Sequence, residues 1–164
     1  MAIARLLKSI QLLLIAYLFL GATALRELLG RVIKVADGDT ITILIEGRIQ
    51  EKIRFTGIDC PEKNQAFGSQ AKTFTSDRCF GKNVRIAYES KDRYGRILGI
   101  VYLPDGKNLN KELLRAGLAW HYKQFDDSQD LAKLEVDARV AKRGLWSDAH
   151  PVAPWDFRKS RRSD

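Results

Sequence analysis

Residues 30–59 contain three short stretches with the pattern of β-strands, and this pattern restricts the fold more than any other feature of the chain. Residues 30–36 and 40–45 are rich in β-branched and apolar side chains, and the turn sequence Asp-Gly-Asp at 37–39 separates them. Along 49–55 apolar and polar residues alternate, as in a strand with one buried face. We therefore predict three successive strands in this part of the chain.

The rest of the chain alternates between predicted helices and two further strands. Helices are predicted over 68–80, from Asn110 to just before Gly117, and over 128–143, and strands over 83–88 and 96–103. A chain of 164 residues fits one domain with a sizeable core. Five short strands interleaved with helices predict an α+β fold, mainly β. The expected architecture is a five-stranded Greek-key barrel with about three helices, whose strand order the pattern does not determine.

The first 24 residues have the three parts of a secretory signal peptide. Arg5 and Lys8 give a positive region, residues 10–20 are almost wholly apolar, and Ala-Thr-Ala at 22–24 fits a signal-peptidase site. The apolar run is shorter than the roughly 20 residues that span a membrane. We predict cleavage after Ala24 and export to the periplasm or the medium, with no membrane contact afterwards. The alternative is an uncleaved signal anchor.

The chain is basic, with 28 Lys and Arg against 20 Asp and Glu and a formal net charge of +8. A basic surface attracts polyanions such as nucleic acid or an anionic membrane, but the same charge also serves solubility. Charge alone therefore names no partner. Residues 148–164 form a basic C-terminal tail that is predicted to be loosely ordered. This tail is either simply solvated or helps to bind a polyanion.

The chain has two cysteines, Cys60 and Cys79. Export would allow a disulfide, and an even number of cysteines favours a pair over two buried thiols. Two cysteines with no nearby histidine do not indicate a zinc site.

Acidic and basic side chains that suit phosphodiester chemistry lie close to the strand ends. Asp39 lies in a turn, Asp59 ends the third predicted strand, and Glu62 follows just past a proline. Arg54 lies within that strand and Arg96 opens the fifth. Each residue alone could be a turn, cap or solvated strand residue. Together, carboxylates suit calcium or magnesium and arginines bind phosphate, which is the chemistry of phosphodiester hydrolysis.

Several motifs resemble the thermonuclease (staphylococcal nuclease-like) family. They are Asp-Gly-Asp-Thr at 37–40, Arg-Phe-Thr-Gly-Ile-Asp-Cys-Pro-Glu at 54–62, Asp-Arg-Tyr-Gly-Arg at 92–96, and shorter matches within 108–119 and 143–146. The resemblance covers residues 29–147, so we take 25–147 as the domain. It implies an OB-fold barrel and calcium-dependent hydrolysis of DNA and RNA, single-stranded or locally opened, by a monomeric enzyme.

The resemblance also implies a role for individual residues. Calcium would be held by the carboxylates of Asp39 and Asp59 and by the backbone carbonyl of Cys60, with Asp37 supporting these ligands. Glu62 would be the general base, Arg54 and Arg96 would hold the scissile phosphate, and Tyr94 would contact the substrate. Cys60 departs from the family, which often has threonine there. If only its carbonyl binds the metal, its thiol is free to pair with Cys79.

Aromatic residues follow the second predicted helix, where family members place rings that stack on the substrate. Among Trp120, His121 and Tyr122, Tyr122 is the candidate for stacking on a base. The alternative is that these rings pack between helices. His121 is expected to lie at the surface or to pack rather than to catalyse, and Trp146 is expected to anchor the last helix in the core.

Two other functions compete with a nuclease. One is a non-catalytic OB-fold module that binds nucleic acid, and the other is a membrane-anchored interaction protein. Family domains without activity typically lose the acids or the arginines. This sequence retains all five, namely Asp39, Arg54, Asp59, Glu62 and Arg96, which favours an enzyme.

Overall fold

The computed structural model describes residues 25–161, and most of its strands form one closed barrel. The barrel strands are β1 (Arg26–Asp37), β2 (Thr40–Ile45), β3 (Ile49–Phe55), β5 (Asn83–Lys91) and β6 (Ile97–Tyr102), in the order β1-β2-β3-β6-β5. A separate two-stranded sheet consists of β4 (Ile58–Asp59) and β7 (Trp120–His121). The predicted five-stranded barrel is confirmed.

One parallel pair closes the barrel. Strands β1–β2, β2–β3, β5–β6 and β1–β5 pair antiparallel, whereas β3 and β6 run parallel with Ile53 opposite Ile97. Parallel neighbours cannot be joined by a tight turn. The chain between β3 and β6 accordingly passes through β4, the first helix and β5.

The barrel interior is filled by β-branched and aromatic side chains. Ile41 of β2 lies opposite Ile53 of β3, and both are fully buried, as are Val32 and Ile43. Shifting a strand by one residue would turn these side chains to solvent. Burial of the apolar face therefore fixes the register of β2 and β3, and with it the positions at which the two strands end.

Between residues 25 and 161 there are four α-helices, one more than predicted. They are α1 (Gly68–Cys79), α2 (Leu109–Arg115), α3 (Gln129–Val140) and α4 (Pro154–Ser160), with a 3-10 turn at Gly144–Ser147. The three predicted helices correspond to α1, α2 and α3. The α+β class is therefore confirmed.

Helix α2 begins earlier than the sequence predicts. Its N-cap is Asn108, whose side chain accepts a hydrogen bond from the Lys111 backbone N–H. The predicted cap, Asn110, is instead buried inside the helix, accepts from the Val101 N–H and donates to the Thr56 carbonyl. Asn110 thus joins α2 to the barrel, a role that its sequence position does not reveal.

The prediction of a loosely ordered tail after residue 147 is wrong for residues 154–160, which form helix α4. Helix α4 begins at Pro154, whose fixed φ suits a first helical position. Trp155 packs edge-on against Trp120 with ring centroids 5.6 Å apart. The sequence pattern missed this helix because it has only seven residues and its packing partner is distant in the chain.

The predicted signal peptide, residues 1–24, lies outside the described residues. Within 25–161 the structure has no helix that is both long enough and apolar enough to cross a membrane.

The predicted disulfide is not present, because Cys60 and Cys79 are two separate buried thiols. The Cys79 thiol donates to the carbonyl of Thr75 in its own helix, at 3.1 Å. Cys60 packs against the turn at Gly38, where an added Cβ would lie 2.8 Å from its sulfur. Burial raises the pKa of Cys79 to about 12, and burial together with Asp39 raises the pKa of Cys60 well above its usual value.

Candidate active site

The short sheet of β4 and β7 holds Asp59 at the end of the barrel. Gly57 makes the turn after β3 with a φ of 74°, and a Cβ there would lie 2.6 Å from a methyl carbon of Leu131. The prediction that Asp59 ends the third strand is therefore wrong, because β3 ends at Phe55 and Asp59 lies after this turn in β4, where it pairs with Trp120. The turn and the ladder bring this carboxylate back beside β3.

Arg54 lies between the two carboxylates that were predicted to bind metal. Its Nη2 is 2.7 Å from Asp59 Oδ1 and 3.3 Å from Asp39 Oδ2. Its Nη1 donates to the backbone carbonyls of Phe55 at 2.7 Å and Ile58 at 2.9 Å. Only 13% of the Arg54 side chain is exposed, so it is not a solvated strand residue. The structure therefore brings Asp39, Arg54 and Asp59 together.

Burial shifts the protonation equilibria of this cluster. Burial raises the pKa of Asp59, against the hydrogen bond from Arg158 and the charge of Arg54. Burial and the neighbouring Asp39 raise the pKa of Asp37 to about 6. Burial alone would lower the pKa of Arg54, but the charges of Asp39 and Asp59 outweigh it and raise that pKa.

The loop after β4 carries Glu62. The Glu62 N–H donates to Oε1 of Gln65 at 3.1 Å, and the Gln65 side-chain amide donates to the carbonyl of Val152 at 2.6 Å. A Cβ at Gly68 would lie 1.9 Å from the Glu62 carbonyl oxygen, so only glycine allows helix α1 to start this close to the loop. These contacts fix the backbone of Glu62, while its side chain is 37% exposed.

Arg158 of helix α4 joins the cluster, although no sequence motif predicted this residue. Its Nη1 is 2.7 Å from Glu62 Oε1 and 3.3 Å from Asp59 Oδ1, and its Nη2 is 2.8 Å from Asp59 Oδ2. These hydrogen bonds raise the pKa of Arg158, although burial opposes the shift. In the sequence nothing distinguishes it from Arg161, and no local pattern could have identified it.

The cluster fits a hard divalent cation by charge and by ligand chemistry. Four carboxylates carry a formal charge of −4 and two guanidinium groups a charge of +2, so the net formal charge of the cluster is −2. These groups belong to Asp37, Asp39, Asp59, Glu62, Arg54 and Arg158. Asp37 Oδ1 is buried without a hydrogen-bond partner, and carboxylate oxygens suit calcium. Within residues 25–161, however, no three Asp, Glu, His or Cys side chains are arranged to hold a metal ion.

Arg96 and Tyr94 lie in the turn before β6. Arg96 Nε donates to Asp92 Oδ2 at 2.7 Å, and its guanidinium lies 5.6 Å from the centre of the Tyr94 ring. The Tyr94 side chain is largely exposed. Arg96 thus bonds to Asp92 in its own turn and not to the acidic cluster. The next residue, Ile97, nevertheless pairs with β3.

The aromatic residues near the site are packed on one another. Tyr122 stacks in parallel on Trp155, with ring centroids 5.2 Å apart and planes at 6°. His121 is buried, and its Nε2 lies 2.9 Å from Asp126 Oδ1. Trp146 packs against Ala138 of α3, as predicted. One face of the Tyr122 ring is therefore covered by helix α4.

Comparison with known proteins identifies one family. Residues 52–148, more than half of the chain, match the family model described as staphylococcal nuclease homologue. The chain is 44% identical over 145 residues to an uncharacterized endonuclease of Escherichia coli, covering 88% of this chain and 94% of that protein. It is 35% identical over 153 residues to a micrococcal nuclease of Shigella flexneri, covering 87% of each. It is also 39% identical over 111 residues to the staphylococcal-like nuclease CAN1 of Arabidopsis thaliana, covering 68% of this chain and 34% of that protein.

Proposed function

Since this chain belongs to the staphylococcal nuclease homologue family, we propose that it is a calcium-dependent nuclease that hydrolyses the phosphodiester bonds of DNA and RNA. Its family and relatives make it a nuclease, a hydrolase whose substrates are nucleic acids. The observation that carries the finer proposal is the cluster of Asp39, Asp59 and Glu62 around Arg54 and Arg158.

Hydrolysis of a phosphodiester needs a base for the attacking water. Glu62 would take a proton from the water as its oxygen bonds to phosphorus and the bond to the leaving oxygen breaks. Calcium would be held by Asp39, Asp59 and the carbonyl of Cys60, supported by Asp37, and when bound it would polarise the phosphate. The position of Glu62, partly exposed next to Asp59, supports this assignment.

The arginines would stabilise the charge that develops on the phosphate. Arg54 Nη1 is anchored by two backbone carbonyls, so its guanidinium is held in place before substrate binds. Its Nη2 contacts carboxylates and is the group that would turn to a phosphate oxygen. Arg96, which is partly exposed at the start of β6, would supply a second guanidinium group that donates hydrogen bonds to the phosphate.

The substrate is expected to be single-stranded or locally opened nucleic acid. The exposed ring of Tyr94 would contact it directly, and Tyr122, which packs on Trp155 and Phe125, would use the exposed part of its ring to stack on a base. Stacking on aromatic rings is worth about 1–3 kcal/mol per base and accepts every base. This supports activity on both DNA and RNA.

Cleavage should depend on calcium. We expect the purified protein to cut single-stranded DNA and RNA in calcium, to stop when a chelator is added, and to resume when calcium is restored, because the proposed role of Asp39 and Asp59 is to hold the cation that polarises the phosphate. Gel analysis of labelled oligonucleotides measures this. Binding without cleavage at every calcium concentration would instead support the non-catalytic binding module.

We also propose that the protein is exported to the periplasm or the medium. The charged start, apolar run and Ala-Thr-Ala site of residues 1–24 support cleavage after Ala24. N-terminal sequencing of the protein from the producing cells should give a mature chain that begins at Leu25. A chain that retains residues 1–24 in the membrane fraction would support the signal anchor instead.

A further inference from the structure

Helix α4 brings a second arginine to the acidic cluster, and we propose that Arg158 is the residue that positions Glu62 for catalysis. This inference rests on the proposed function, in which Glu62 is the general base. It makes residues 152–158 part of the nuclease site, although the family match ends at residue 148.

The contacts of Arg158 fix the two carboxylates relative to each other. Its guanidinium makes a forked pair of hydrogen bonds to Asp59, at 2.8 and 3.3 Å, and a third to Glu62 Oε1 at 2.7 Å. A planar guanidinium imposes direction as well as distance on the groups it binds. Asp59 is buried in the β4–β7 sheet, which holds it in one position. Because Arg158 bonds to both side chains, it fixes the Glu62 carboxylate relative to Asp59.

Glu62 needs such a support because of where it lies. It is outside every helix and strand, and its side chain is 37% exposed. An exposed glutamate has several rotamers of similar energy, and a base must be in one of them when the water attacks. The bond to Arg158 selects one rotamer and leaves the other carboxylate oxygen, Oε2, for the water.

The same C-terminal segment also holds the backbone of the Glu62 loop. The Gln65 side chain accepts from the Glu62 N–H and donates to the Val152 carbonyl. The main chain of Glu62 is thus linked to Val152 and its carboxylate to Arg158.

Helix α4 is anchored without Arg158. Trp155 packs against Trp120 and Tyr122, and Pro154 is buried. Trp120 is the ladder partner of Asp59, so these aromatic contacts attach the helix to the sheet that carries the carboxylate. Replacing Arg158 should therefore leave the helix in place, which makes the proposal testable by substitution.

The first experiment compares Arg158→Ala with Arg161→Ala on single-stranded DNA in saturating calcium. Arg161 lies at the end of the same helix, is exposed, and contacts the ring of Phe157, so its replacement removes the same charge away from the cluster. We expect Arg158→Ala to lower kcat by up to about 100-fold, as for a misplaced catalytic group, with a much smaller change in KM. Arg161→Ala should retain the wild-type kcat.

The second experiment asks whether Arg158 acts through Glu62. In the Glu62→Gln background, Arg158→Ala should cause little further loss, because the base that it positions is already gone. If the fold-losses of kcat in the two single variants multiply fully in the double variant, the proposal is overturned and Arg158 has a purely structural role. Arg158→Lys should recover part of the lost kcat by restoring a donor to Glu62.

Cleavage by the same variants over a range of calcium concentrations separates positioning from competition. Removing the charge of Arg158 beside Asp59 should tighten calcium binding in either case, but only if Arg158 blocked the cation would Arg158→Ala cleave faster than the wild type at low calcium, and that result would overturn the proposal. Wild-type protein that does not cleave would remove the proposed function and this inference together. Active wild-type protein with an equally active Arg158→Ala variant would remove the inference alone.

Discussion

Replacing Glu62 with glutamine is expected to lower kcat by about 10²–10⁴-fold, the usual contribution of a general base. Glutamine has nearly the same size and can still accept a hydrogen bond from Arg158 through its amide oxygen, but it cannot take the proton from water. The fold and the affinity for nucleic acid should therefore change little. Steady-state kinetics on single-stranded DNA in calcium measures the loss, and circular dichroism reports the fold.

Glu89→Gln is the matched control for this substitution. Glu89 lies exposed near the end of β5, so the variant has the same change of charge away from the acidic cluster and should keep the wild-type kcat. Near-normal turnover in Glu62→Gln would remove Glu62 as the base and would leave the water to be activated by another group.

Replacing Arg54 with lysine is expected to lower kcat/KM by about 10²–10³-fold, the range for loss of one donor to the transition-state charge. Lysine keeps the positive charge between Asp39 and Asp59 but has no planar fork. It therefore cannot bind the carbonyls of Phe55 and Ile58 and also reach a phosphate oxygen. Because these hydrogen bonds are partly buried, the free energy of unfolding should also fall, by about 1–3 kcal/mol.

Kinetics and urea denaturation together distinguish the two consequences of Arg54→Lys. Arg48→Lys, in the exposed turn between β2 and β3, is the matched control and should change neither quantity. A variant that is destabilised but cleaves at the wild-type rate would make Arg54 a structural bridge between carboxylates rather than a phosphate-binding group.

Local patterns predicted most of the fold, because they depend on neighbouring residues. Alternation along 49–55 predicted β3, and glycine after a stretch with helical spacing predicted the ends of α1 and α2. The acids at strand ends could be recognised for the same reason, since the turn at 37–39 and the break at Pro61 are local. The start of α2 was wrong because Asn108 and Asn110 are both possible caps, and only the burial of Asn110 distinguishes them.

The candidate site was predicted only as far as its motifs extend. The motifs around residues 37–40 and 54–62 contain Asp39, Arg54, Asp59 and Glu62, and the structure brings these residues together. Arg158 lies 96 residues from Glu62, within a run of basic residues that looks like an ordinary solvated tail. The disulfide was a wrong prediction because cysteine number and compartment say nothing about where two thiols point.

The sequence by itself determined the five barrel strands, the barrel class and the family, because side-chain periodicity, turn residues and motif spacing are properties of short segments. Only the tertiary structure decided the order of the strands, the parallel pairing of β3 with β6 and the partners of Arg54. It alone decided that the C-terminal helix reaches the acidic cluster. These features depend on contacts between segments far apart in the chain, where burial and charge pairing select one arrangement among many that local preferences allow.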